Sequence, residues 1–146
     1  MKAYLCFMEN RQIIEVKATI NAPLNQVWEK WTQAKHVIHW NFAHESWCCP
    51  SAEVDFKEGG SSNCRMEAKD GSFGFDLIAT FTAIIPQELI ASSLEDGRKV
   101  EVKFASNGQQ TILVQRFEPE TENTLELQQQ GWQAILDQFK RYCEQN

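Results

Sequence analysis

From Asn123 to Gln145 the chain repeats at offsets of three and four residues. This spacing returns to one face of a helix and places Gln128, Trp132, Ile135, Leu136, Phe139, Tyr142 and Cys143 on a single stripe. Gln129, Gln133, Asp137 and Lys140 fall on the opposite, polar face. Asn123 is placed to cap the helix, with Glu126 three residues later completing a capping box. A helix of this length spans roughly 30 Å. Its aromatic stripe requires a broad apolar surface, and the preceding residues supply one as a sheet.

The preceding pattern has period two. Ile14, Val16, Ala18 and Ile20 alternate with Glu15, Lys17 and Thr19, which predicts a first strand over Ile13 to Ile20. Asn21-Ala22-Pro23 ends it, and Pro23 suits a helix start because its missing N–H would have had no partner there. Val27, Trp28 and Trp31 recur at helical spacing, and Ala34 to Trp40 reads as a second short helix after a break near Thr32. From Ala52 onward, Gly59-Gly60, Asp70-Gly71, Asp96-Gly97 and Asn107-Gly108 are turn signals between alternating runs. The apolar members Val54 and Phe56, then Cys64, Met66 and Ala68, then Val100, Val102 and Phe104 face the helix. In the run Phe73 to Ile85, ended by Pro86, the inward residues are Phe75, Leu77, Ala79 and Phe81. Ile90 to Leu94 and Gln110 to Phe117 supply the last strands. In the final strand Ile112 and Val114 compete with Leu113 and Phe117 for the inner face, and Gln115 turns inward if the second pair wins. The expected fold is α+β: a curved seven-stranded antiparallel sheet gripping a long C-terminal helix, with two short helices after strand 1.

The 146 residues fit one domain with an ordered core over 12–145, long enough to bury roughly two thirds of its unfolded surface. The net charge of −6, from 14 basic and 20 acidic residues with no Lys/Arg run, argues against a nucleic-acid partner. Met1 to Met8 is too short for a signal core, and no membrane span is read. Cys6, Cys48, Cys49, Cys64 and Cys143 are odd in number and adjacent in one case, which suits reduced thiols in the cytoplasm.

The order of elements, together with particular strings, resembles the START or birch-pollen-allergen-like (SRPBCC) superfamily. Within it the chain resembles homologues of the ATPase activator of the ninety-kilodalton heat-shock chaperone, the AHSA-like family. The strings are Asn21-Ala22-Pro23 with Val27-Trp28 and Trp31-Thr32, His39-Trp40-Asn41, Arg65 to Gly71, Gly74-Phe75-Asp76, Asp96 to Val100, and Gly131 to Leu136. They cover nearly the whole chain after Gln12. The resemblance implies a helix-grip fold and a cavity for an apolar ligand, and it brings no catalytic set.

His36, His39, His44, Glu45 and Cys48-Cys49 form the one cluster with metal-ligand chemistry. Adjacent cysteines do not both point at one ion, so no metal and no cofactor is expected. Nothing in the sequence fixes a base beside either thiol, so neither is expected as a nucleophile. The aromatic cluster Trp28, Trp31, Trp40, Phe42 and Trp47 either walls a pocket or plugs the end of the sheet. Ala79, Ala83, Ala91, Met66 and Gly131 leave room opposite it.

The expected function is non-catalytic binding of a small apolar or amphipathic molecule between the sheet and the C-terminal helix. The expected cavity residues are Trp40, Phe42, Trp47, Met66, Phe75, Leu77, Phe81, Gln115, Trp132, Ile135 and Phe139. Two alternatives stand beside it: an interaction protein that modulates a chaperone ATPase, and a cavity enzyme of cyclase or hydrolase type. Against the last, the inward positions supply Gln115 and Arg116 and no acid–base pair.

Overall fold

The computed structural model describes residues 12–145. The Met1 to Met8 stretch and Cys6 therefore lie outside the described residues. β1 (Ile14–Ile20) is followed by α1 (Leu24–Thr32) and α2 (Ala34–Val37). The meander then runs through β2 (Trp47–Val54), β3 (Ser61–Ala68), β4 (Gly74–Ile85), β5 (Leu89–Leu94), β6 (Lys99–Asn107) and β7 (Gln110–Phe117) to α3 (Leu125–Gln145). The seven strands form one antiparallel sheet in the order β1-β7-β6-β5-β4-β3-β2, curled around α3 in a helix-grip arrangement.

The turn chemistry explains the meander. Gly108 opens the two-residue loop between the paired residues Asn107 and Gln110 at φ +67, a left-handed backbone that glycine adopts without steric cost. At Gly60 the need is space, because a Cβ there would run into the carbonyl oxygen of Asp55.

Several boundaries differ from the sequence reading. The second helix stops at Val37, and the chain reaches Trp40 through a tightening turn in which Trp40 and Asn41 both donate to the Val37 carbonyl. β2 begins at Trp47 rather than near Ala52, because a bulge between Cys48 and Ser51 absorbs Pro50 on an edge strand, where no ladder donor is missed. The long helix is capped by Thr124, whose Oγ1 accepts the Leu127 N–H at 3.1 Å. Asn123 cannot serve as the cap because Glu120 holds it, accepting its backbone N–H at 2.7 Å and its Nδ2 at 2.8 Å. Glu126 therefore completes no capping box with it.

The polar side of α3 is more than a solvated face. Gln133 reaches the free edge of β1, accepting the Lys17 N–H at 3.3 Å and donating Nε2 to the Lys17 carbonyl at 3.0 Å. Lys140 donates to the Thr19 carbonyl at 2.6 Å, and Glu144 accepts the Asn21 N–H at 2.8 Å. These side chains supply partners that an eighth strand would otherwise provide, which shields the edge and fixes the helix along it.

The inner face of the sheet carries the core. Val16, Ile20, Leu113, Phe117, Leu136 and Phe139 are all essentially inaccessible. Leu113 and Phe117 win the inner face of β7, so Gln115 turns inward with them. Gly131 packs against nothing: a Cβ there would meet no atom within 4 Å. Close packing thus does not explain this glycine. Gly131→Ala is expected to stabilise the protein by about 0.5 to 1 kcal/mol through helix propensity and the unfolded state, read as a raised melting temperature.

Candidate functional site

A cavity of about 500 Å³ lies between the sheet and α3. Its floor comes from inward positions of the six neighbouring strands β2 to β7, including Met66, Leu77, Ala79, Phe81, Ile90, Val100 and Val102. Trp132 and Ile135 of α3 form the opposite wall. Trp31 and Trp40 close one side, while Arg98, Glu120, Asn123 and Gln128 line it near the start of α3.

The space follows from what the aromatics pack against. The Trp132 indole stacks on Phe117 with ring centroids 3.7 Å apart and planes 11° from parallel, which draws it to one wall. Trp31 and Trp40 stack on each other at 4.8 Å, and each meets Phe139 edge-on, at 4.9 and 4.7 Å. The Trp40 indole N–H is satisfied by the Lys30 carbonyl at 3.0 Å. Trp28 lies against Phe56 and Phe104. The tryptophans therefore divide between both expected roles: Trp28 plugs the end of the sheet, and Trp31 and Trp40 are core on one side and cavity wall on the other.

Of the residues expected at the cavity, Trp40, Met66, Phe75, Leu77, Phe81, Gln115, Trp132 and Ile135 line it. Three do not. Phe139 is consumed by the two tryptophans and is fully buried. Trp47, carried to the start of β2 by the bulge, packs on Phe73 at 5.9 Å and Phe75 at 6.2 Å. Phe42 lies in the turn after α2 and packs against the core. Ala79 opens space as expected, but Ala83 and Ala91 pair with each other away from the cavity, past a register shift between Phe81 and Ala83.

The expected cavity set lacked Ser92 and Arg98, which line the cavity, and Trp31, which the sequence offered only within an aromatic cluster of either role. Alternation from Ile90 would have placed Ser92 inward. For Arg98, beside a hairpin glycine, no periodic signal exists.

Most polar lining groups are engaged locally. The Gln128 amide accepts the Glu120 N–H at 2.9 Å and donates to the carbonyls of Glu120 and Asn123 at 3.1 and 2.9 Å. Arg98 Nε donates to Asp96 at 2.7 Å. Backbone and side-chain donation from Asn123 holds the Glu120 carboxyl below the usual carboxylate range. Thr32 Oγ1 donates to the Trp28 carbonyl at 2.8 Å. The Gln115 side-chain amide, like the Ser62 and Ser92 hydroxyls, makes no hydrogen bond among the described residues.

Two thiols meet at the β2–β3 side of the cavity. Cys64, in its wall, lies beside the buried Cys49, whose thiol donates to the Ser51 carbonyl at 3.5 Å; the neighbouring Cys49 thiol, and after it the Asn41 amide, hold the Cys64 pKa below its ordinary value. The neighbouring Cys64 and burial push Cys49 up, and burial pushes Cys143 up to about 12. Methyl methanethiosulfonate is therefore expected to label Cys64 ahead of Cys49 and Cys143. The rate should climb with pH through the lowered Cys64 value and then level off, as read by peptide mass spectrometry.

The histidine–cysteine segment does not assemble. His36 Nδ1 pairs with Tyr142 Oη at 2.7 Å and His44 Nδ1 with Ser46 Oγ at 2.8 Å. Among the described residues no three metal-ligand side chains come together. No described helix is long and apolar enough to cross a membrane.

Residues 21–144 match the family model described as activator of Hsp90 ATPase homolog 1-like protein. A solution structure of an AHSA1-like protein from Aeromonas hydrophila is 39% identical, with 92% of this chain and 93% of that one aligned at a TM-score of 0.86. The solution structure of Chr148 from Cytophaga hutchinsonii is 41% identical, over 91% and 92% of the two chains, at a TM-score of 0.78. The Aha1 dimer from Colwellia psychrerythraea, 13% identical over 91% of this chain and 96% of that one, shares the fold at a TM-score of 0.72. No curated protein matches the sequence.

Proposed function

The chain belongs to the activator of Hsp90 ATPase homolog 1-like family, and from that premise we propose that it is a non-catalytic receptor for a small apolar or amphipathic molecule. The observation that carries this reading is the cavity itself. Its volume of about 500 Å³ falls in the range of roughly 300 to 1,000 Å³ typical of ligand sites. Its walls are mainly aliphatic and aromatic, and its titratable lining groups among the described residues are Cys64, Arg98 and Glu120. Arg98 and Glu120 are held by their neighbours, and Cys64 has a second thiol and an amide beside it, so no proton relay is assembled. The test is native mass spectrometry of protein purified from cells, followed by titration with the neutral lipophile N-phenylnaphthylamine. Binding at one molecule per chain supports the reading, and a bare mass with no binding rejects it.

A second reading, contact with a chaperone, has its own observation. Phe73 is 61% exposed and Phe75 41%, and both ring-pack with Trp47 at the β3–β4 tip. Exposed apolar clusters of this kind suit a protein partner. Loss of Hsp90 pull-down in Phe73→Ser would support this reading. Unchanged ATP turnover and no capture by the wild-type protein would remove it.

A further inference from the structure

Among the described residues, the Gln115 side-chain amide and the Ser62 and Ser92 hydroxyls line the cavity without a hydrogen bond from the protein, and of these Gln115 is the amide. Gln115 is register-paired with Val16 on one side and Val102 on the other, and Val102 continues to Ile90, so the amide interrupts an aliphatic row across the sheet. Val102 and Ile90 share the cavity with it, and Trp132 and Ile135 stand in the opposite wall. Gln128, the other glutamine of the lining, is saturated by backbone groups. The Gln115 side-chain amide makes no hydrogen bond to a described residue.

An amide in such a place is costly to cover with hydrocarbon, because its donors and acceptor lose water and gain nothing. A ligand that displaces water from Gln115 binds well only if it returns a hydrogen bond. A charged headgroup gains little there, since the flanking residues are apolar and the lining charges Arg98 and Glu120 are already engaged.

We propose that Gln115 is the specificity-determining anchor of the cavity, and that its ligand is an apolar molecule carrying a neutral carbonyl or hydroxyl group. This rests on the cavity-receptor reading. A site built around a hydrogen bond rejects analogues that lack it far more strongly than a smooth apolar pocket rejects a size variant.

The experiment is displacement of N-phenylnaphthylamine by four probes of matched chain length: dodecane, dodecanol, 2-dodecanone and dodecanoate. In the wild-type protein the alcohol and the ketone should displace the dye at least about tenfold more effectively than the alkane, and better than the carboxylate. Gln115→Leu should still bind the dye and melt at or above the wild-type temperature, because an apolar side chain takes the place of a polar one in an aliphatic row. It should lose the preference for the alcohol and ketone. Gln115→Asn, which keeps the amide, should retain part of it. Dye binding with equal displacement by all four probes, or an unchanged preference in Gln115→Leu, overturns the anchor and leaves the receptor reading standing. No binding of the dye or any probe by the wild-type protein removes both.

Discussion

Phe139→Ala should cost about 3 to 5 kcal/mol of folding stability, the range for truncating a fully packed aromatic. The ring has no solvent exposure and is held edge-on by Trp31 and Trp40, which are themselves stacked at 4.8 Å. Two interlocked indoles cannot collapse into the void, so the cavity term adds to the lost transfer energy. Trp40 is pinned further by its bond to the Lys30 carbonyl. Equilibrium urea unfolding checks this, with the midpoint falling and the slope unchanged. A loss below about 1 kcal/mol would mean that the aromatic cluster is loosely packed.

Trp132→Ala should cost less, about 2 kcal/mol, although more side chain is removed. One face of this indole stacks on Phe117, but the residue is only half-buried and borders existing space. Truncation there enlarges a cavity instead of creating one. The same variant should lose most of the fluorescence change produced by a bound lipophile. The paired measurement is decisive because the two residues sit seven positions apart on one helix. If Trp132→Ala destabilises as much as Phe139→Ala, the indole is core on both faces.

Much of this architecture was legible because it rests on periodicity. Seven strands, two short helices and one long helix follow from alternation, turn glycines and a helical stripe, and Leu113 with Phe117 resolved the one strand whose parity was open. The cavity wall was legible to the same extent, since Met66, Leu77, Phe81, Trp132 and Ile135 are inward by pattern. What periodicity does not encode is which inward residues consume one another. Phe139 and Trp132 lie on one stripe, yet Phe139 meets two tryptophans and Trp132 meets Phe117 and open space. Trp47 was misplaced because the bulge around Pro50 breaks the count of two. The roles of Gln133, Lys140 and Glu144 were hidden because polar residues on an outer helix face look the same in sequence whether they meet water or a strand edge.

The most direct test of the ligand cavity is heteronuclear NMR of isotope-labelled protein titrated with N-phenylnaphthylamine. The account predicts saturable shifts gathered on the cavity residues, above all Val102, Gln115, Trp132 and Ile135. Shifts that are absent, or that gather only around Trp47 and Phe73 at the exposed β3–β4 tip, would contradict it.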